Sequence, residues 1–127
     1  MEDGASLNWL AVIVGAVLSF LAGWLWFSPM LFGEKWAEGS RVELGKADEM
    51  PKLAMAAQAI ALLLISTLIG LTAASGALFT AIIAILGIAA FSVSVGAFVK
   101  KTNYALMVDG GYVILFGVIM IAVQGIL

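Results

Sequence analysis

Four long apolar stretches, separated by three breaks, make up most of the chain. They cover about residues 7–30, 53–73, 78–99 and 104–127. Each is close to the ~20 residues that an α-helix needs to cross the hydrocarbon core of a bilayer. Because lipid cannot hydrogen-bond free backbone N–H and C=O groups, a spanning segment has to be helical. The pattern predicts a single transmembrane domain over residues 1–127, an all-α, integral membrane four-helix bundle.

The three breaks differ in length and charge, and this difference predicts the orientation. Residues 33–50 form the longest loop, while residues 74–76 form an uncharged turn and residues 100–103 a short basic turn. With four spans, the first and third breaks lie on the same side of the membrane. All six Lys and Arg residues fall in or next to these two breaks. The positive-inside rule then places both basic loops in the cytoplasm and both termini in the periplasm, an N-out/C-out arrangement.

The composition agrees with lipid as the solvent and argues against several classes of function. Apolar residues make up 64% of the chain and charged residues 11%, against about 25% charged in soluble domains. The chain has no Cys and no His, the commonest metal ligand and general base. With a net charge of −2 and no basic surface, nucleic acid is not an expected partner. We predict a protein that is not an enzyme and has no catalytic residues, metal or cofactor.

Small residues recur at intervals of four or seven along the predicted helices. Helices in lipid approach closely where their side chains are small, so these positions are candidates for helix packing. The candidates are Gly15, Ser19, Gly23, Gly70, Gly110 and Gly117. We expect them to hold the bundle together within one chain. A dimerisation face is the alternative, and the spacing alone does not decide between the two.

Asp109 is an ionisable residue well inside a predicted span. A charge there costs ~2.5–3.5 kcal/mol on insertion scales, so a specific role is expected. It follows Lys101 by eight residues, roughly 12 Å along the helix. Gln58, Ser94 and Ser28 fall at a similar depth on three other helices. We predict that they form one polar layer with Asp109 and with Tyr112, which follows Asp109 by three residues on the same helix face.

Two roles for this polar layer stay open. In the structural role, Asp109 is paired or protonated, bonds to Gln58, Ser94 or a base of the first loop, and locks the bundle. In the functional role, the layer holds a proton, a cation or a lipid headgroup. Asn8 and Gln124 lie near the outer interface and are interpreted as solvated helix ends.

An aromatic motif follows the first apolar stretch. Its members are Trp24, Trp26, Ser28, Pro29, Phe32 and Trp36. Tryptophan prefers the headgroup level of a bilayer, and proline bends or ends a helix. We interpret the motif as an interfacial anchor, with Phe32 and Trp36 on the membrane surface. The alternative is a face that binds a lipid or a partner.

Three segments carry a resemblance to a known family. They are Asn8-Trp9-Leu10-Ala11-Val12, the run from Gly23 to Trp36, and Asp109-Gly110-Gly111-Tyr112. With these, the chain resembles a family of small bacterial four-helix membrane proteins catalogued only as a domain of unknown function. The resemblance covers nearly the whole chain and implies a bacterial source and four spans. It implies no activity.

These observations favour a non-enzymatic protein of the bacterial inner membrane, an accessory subunit or scaffold of a larger membrane complex. Its expected partners are membrane lipids and other membrane subunits, or a second copy of itself. A small transporter or channel that uses Asp109 as its coupling carboxylate is one alternative. A lipid-binding protein, with headgroups between the bases of the first loop and the Trp cluster, is the other.

Overall fold

The computed structural model of the protein describes residues 7–42 and 52–127, and over these residues it consists of five α-helices without strands. The helices are α1 (Trp9–Trp26), α2 (Gly33–Ser40), α3 (Lys52–Ala74), α4 (Leu78–Phe98) and α5 (Asn103–Ile126). The predicted all-α class is confirmed. The predicted number of four helices is wrong, because α2 lies in the segment predicted to be a loop.

Four helices, α1, α3, α4 and α5, are long and apolar enough to cross a membrane. The additional helix α2 has eight residues, which is about 12 Å and too short to cross. Its buried residues are Gly33, Ala37 and Gly39, whereas Glu34 and Glu38 are exposed. The buried residues lie on one side of a helix of only two turns. The short segment mixes charged, small and aromatic residues, and this composition predicted a loop.

The helix α1 ends at Trp26 rather than at residue 30. Pro29 has no N–H to continue the helix, and it disfavours helical backbone at Ser28. Residues 27–32, here called the elbow, turn the chain back towards α2. The Phe32 N–H donates to the Trp26 carbonyl (3.3 Å), and the Gly33 N–H donates to the Ser28 carbonyl (2.8 Å).

Short polar side chains cap the starts of α1 and α5, and residues of positive φ follow the ends of α3 and α4. The Asn8 side chain accepts from the Ala11 N–H at 3.1 Å, so Asn8 is the N-cap of α1 and not simply a solvated residue. Thr102 caps α5 in the same way through the Ala105 N–H. Gly76 and Lys100 have φ of 67° and 62° in the turns that follow α3 and α4.

The last helix lies at the centre of the fold. The apolar window of α5 is 44% buried, against 11% in α4, and α5 contacts every other helix. The core is formed by Leu62 and Ile69 of α3, Ala81, Ile85 and Ala89 of α4, and Tyr112, Val113, Phe116 and Met120 of α5. Side chains on α5 therefore contact residues of each of the other four helices.

The six predicted packing residues are all buried inside this chain. A Cβ on Gly117 would lie 2.6 Å from the Ile85 side chain, and one on Gly110 would lie 2.9 Å from that of Val93. Gly15 packs where the Ser66 hydroxyl donates to the Val12 carbonyl (2.7 Å). These small residues bring the helices of one chain close together.

Candidate functional site

Asp109 lies in the second turn of α5, and both of its carboxylate oxygens are engaged. Oδ1 accepts a hydrogen bond of 2.8 Å from Nε1 of Trp36 on α2. Oδ2 lies 2.8 Å from Nζ of Lys101, in the turn before α5. The side chain of Asp109 is 13% exposed and that of Lys101 is 21% exposed. One carboxylate therefore joins α2, the α4–α5 turn and α5.

The three side chains also touch one another. Nζ of Lys101 lies 5.4 Å from the centroid of the Trp36 ring, a cation–π distance. We call Asp109, Lys101 and Trp36 the Asp109 cluster. Its two charges compensate each other in a setting with little water. Removing one of them would leave the other charge buried and unpaired.

The predicted partners of Asp109 are wrong. Gln58, Ser94 and the bases of the first loop were expected, and the structure instead places Lys101 and Trp36 there. Lys101 lies two residues before the first residue of α5, so its long side chain can run along the first turns of the helix to reach Asp109. Ser94 lies on the exposed face of α4.

The described bases of the first loop have other contacts. Nζ of Lys35 lies 5.2 Å above the Tyr104 ring. The Arg41 guanidinium donates to the Val99 and Lys100 carbonyls at 3.4 and 2.8 Å. Arg41 thereby satisfies carbonyls at the C-terminal end of α4. Lys46 lies outside the described residues.

Tyr112 forms a second polar group, which joins α1, α3 and α5. Its hydroxyl donates to the Ser19 carbonyl (2.8 Å) and accepts from Nε2 of Gln58 (3.1 Å). A Cβ on Gly23 would lie 2.6 Å from this hydroxyl, so a glycine is needed for the ring to approach α1. We call Tyr112, Gln58 and Ser19 the Tyr112 group.

An aromatic ring lies between the two polar groups. Phe27, in the elbow, packs edge to face against Trp36 at 4.9 Å and against Tyr112 at 5.4 Å between ring centroids. The predicted single layer is therefore wrong: the structure brings Gln58 and Tyr112 together and gives Asp109 other partners. Position along a helix sets the depth of a residue, whereas the neighbour that it meets depends on how the helices pack.

The aromatic motif points largely inwards. Nε1 of Trp26 donates to the Val108 carbonyl of α5 at 2.9 Å, and the Trp26 ring lies over Gly111. Phe32 packs edge to face on Trp26 at 4.6 Å. The indole N–H groups of Trp26 and Trp36 both find acceptors on α5, so the two rings pack against the bundle, and their depth at the headgroup level stays a prediction. Trp24 is exposed, as is Pro29, and Ser28 donates to the Leu25 carbonyl.

Two features of this site were missed from the sequence. The first is the ion pair between Lys101 and Asp109, and the second is the packing of the Trp26 ring against Gly111. The adjacent glycines Gly110 and Gly111 could have predicted such close packing. A helix without side chains at two successive positions lets neighbouring residues approach it on two faces. The two glycines receive Val93 of α4 and Trp26 of α1.

We expect Tyr112→Phe to lower the free energy of unfolding by about 1–2 kcal/mol. The change removes two hydrogen bonds and leaves the Gln58 amide and the Ser19 carbonyl without this partner. Thermal unfolding in detergent, followed by circular dichroism, measures the effect. Tyr104→Phe is the matched control, because Tyr104 is 38% exposed. Equal stability of the two variants would contradict the importance of the Tyr112 group.

Residues 10–125 match the family described as a protein of unknown function (DUF1761). The chain belongs to the DUF1761 family. The resemblance predicted from the three sequence segments is thereby confirmed. No curated protein and no solved structure matches the chain. Both polar groups of this DUF1761 chain lie within the matched residues.

In this DUF1761 chain, the Asp109 cluster and the Tyr112 group each join side chains from different helices. Each Asp109 oxygen has one polar neighbour, the Trp36 N–H at Oδ1 and the Lys101 ammonium at Oδ2. Among the residues that the structure describes, no three Asp, Glu, His or Cys side chains are grouped to hold a metal. The clearest consequence of the geometry is a fixed position of α2 against α5.

Proposed function

We propose that this protein is a non-enzymatic accessory subunit or scaffold of a larger complex in the bacterial inner membrane. The observation that supports this is the pairing of Asp109 with Trp36 and Lys101, each at 2.8 Å. The polar group that would serve transport is engaged in holding α2. A rigid short helix at one end of a small bundle suits a protein that presents a surface to a partner.

The position of α2 is fixed at its end as well as at its middle. The Gly39 carbonyl accepts from the Thr102 N–H at 3.1 Å, and Arg41 donates to carbonyls at the end of α4. Glu34, Lys35 and Glu38 remain exposed on the other side of the helix. Their mixed charges are suited to a complementary surface of another subunit.

The positive-inside rule supports the orientation that goes with this function. Lys35, Arg41, Lys52, Lys100 and Lys101, the described bases, lie in or beside the first and third breaks between spans. These breaks share one side of the membrane in a chain of four spans, and the rule makes it cytoplasmic. Both termini would then be periplasmic, and α2 would face the cytoplasm.

Extraction from native membranes in a gentle detergent, followed by native mass spectrometry, tests this proposal. We expect the protein in a fixed ratio with another membrane protein. Trp36→Phe, which removes the hydrogen bond to Asp109, is expected to reduce recovery of that partner. Trp24→Phe is the matched control, because the Trp24 side chain is more than half exposed on α1.

A lone monomer or dimer in this experiment would overturn the subunit assignment and favour one of two alternatives. A small transporter or channel with Asp109 as the coupling carboxylate would show flux in liposomes, and Asp109→Asn would abolish that flux without unfolding the protein. A lipid-binding protein would retain phospholipid through gel filtration. Replacing Lys35, Arg41 and Lys46 together would release that lipid.

A further inference from the structure

A cavity of about 340 Å³ opens at the end of the bundle opposite α2. It lies between the α3–α4 turn and the C-terminal end of α5. Its described lining includes Ile69, Thr72, Ala73, Ala81, Ile121 and Gln124. This volume is within the range of about 300–1,000 Å³ that small ligands occupy, and the lining is mainly apolar, as in such sites.

Gln124 is the polar side chain in this lining that lacks an internal partner for its donor. Its Nε2 is buried and has no hydrogen-bond partner among the described residues, whereas the Thr72 hydroxyl donates to the Ile69 carbonyl at 2.7 Å. A buried donor without an acceptor is costly and calls for an explanation. The prediction that Gln124 is a solvated helix end is wrong, since the side chain is partly buried against Gly70.

The position of Gln124 along α5 indicates which kind of hydrogen-bond acceptor its amide could meet in a bilayer. The helix α5 has 24 residues, which is about 36 Å, against about 30 Å for a hydrocarbon core. Gln124 comes shortly before the last helical residue, Ile126. It therefore lies near the boundary between hydrocarbon and headgroups, where the ester carbonyls of glycerophospholipids are found.

We propose that this cavity binds one glycerophospholipid through an ester carbonyl and the adjoining acyl chain. The Gln124 amide donates to the carbonyl oxygen. Nε2 lies beside Gly70, which is outside the cavity lining. Because the terminal torsion of glutamine is broad and roughly two-fold, a half-turn of the amide exchanges Nε2 with Oε1 and turns the NH₂ group towards the cavity. Ile69, Ala81 and Ile121 contact the first methylenes of the chain. This site lies at the opposite end from the Asp109 cluster and does not depend on the proposed subunit function.

The test compares two phospholipids that differ only in the linkage to glycerol. The full-length protein, purified in detergent, is titrated with ester-linked and ether-linked phosphatidylethanolamine, and the bound lipid is counted by native mass spectrometry. The ether lipid has the same headgroup and chains but no carbonyl acceptor. We expect the ester lipid to bind about fivefold more tightly, the size of one neutral hydrogen bond.

Two variants assign this preference to the cavity. Gln124→Leu is expected to abolish the preference for the ester lipid, and Ala73→Phe, which fills the cavity, is expected to remove binding of both lipids. Thr80→Val is the matched control, because Thr80 is exposed on α4 at the same end of the bundle. It should keep the full preference.

Equal binding of both lipids to the unmodified protein would overturn the proposal, and this comparison does not depend on any variant folding. A preference that survives in Gln124→Leu would overturn it as well, since the ester would then be recognised elsewhere. If no phospholipid binds to the unmodified protein, the proposal that the cavity holds a glycerophospholipid is likewise overturned.

Discussion

Asp109→Leu is expected to lower the free energy of unfolding by about 3 kcal/mol, one of the two largest effects predicted for a single substitution in this chain. The substitution leaves the Lys101 ammonium and the Trp36 N–H without their acceptor. Losing one partner of a buried ion pair costs about 3–5 kcal/mol. The lower end of that range applies because 21% of the Lys101 side chain stays exposed.

A double-mutant cycle separates the pairing of the charges from their separate burial. Lys101→Leu is expected to be destabilising for the same reason as Asp109→Leu. The double variant should be much more stable than the sum of the two single effects implies, because it leaves no unpaired charge. Unfolding in detergent, followed by circular dichroism, gives the four stabilities. Simple additivity would show that the two groups are not coupled.

Trp36→Phe completes this series. The phenyl ring can keep the apolar contact with Phe27, which lies 4.9 Å from the Trp36 ring, but it cannot donate to Asp109. The expected loss is therefore smaller than that of Asp109→Leu. A loss as large as that of Asp109→Leu would mean that the indole N–H, rather than Lys101, is the main partner of the carboxylate.

The spanning helices could be predicted because their signal is local. Length and hydropathy identify a spanning segment without knowledge of its neighbours, and each of the four predicted apolar stretches overlaps one of the four long helices. Small residues such as Gly23 and Gly117 likewise indicated helix contacts, because close packing in lipid depends on them. Both kinds of signal are carried by a single helix.

The site itself depends on information that no single helix carries. Trp36 and Asp109 are 73 positions apart, and their contact requires the elbow to turn α2 back onto α5. The predicted layer includes Gln58 and Tyr112, and these two side chains do meet. It also includes Ser94, but Ser94 faces away from the core. Depth follows from the sequence, whereas rotation about the helix axis follows from packing.

Gly33→Ala is expected to detach α2 and to destabilise the protein by about 3 kcal/mol, the second of the two largest effects. A Cβ at this position would overlap the Phe27 carbonyl oxygen and would lie 2.7 Å from the Ser28 carbonyl group. These obstacles are backbone atoms, so no side chain can rotate away, and overpacking of this kind costs about 1–3 kcal/mol. The elbow has to open, which also breaks the hydrogen bond from Trp36 to Asp109.

Cysteine labelling measures whether α2 detaches, and the chain is suited to it because it contains no Cys. Ala37 is buried on α2, so an Ala37→Cys thiol should be protected from a water-soluble maleimide when α2 is docked. We expect Gly33→Ala to make that thiol reactive. Gly87→Ala on α4 is the matched control, because nothing lies within 4 Å of the added Cβ. A thiol that stays protected in Gly33→Ala would show that the elbow can absorb a methyl group without moving α2. The fixed position of α2, on which the proposed subunit function depends, would then not depend on the tight elbow.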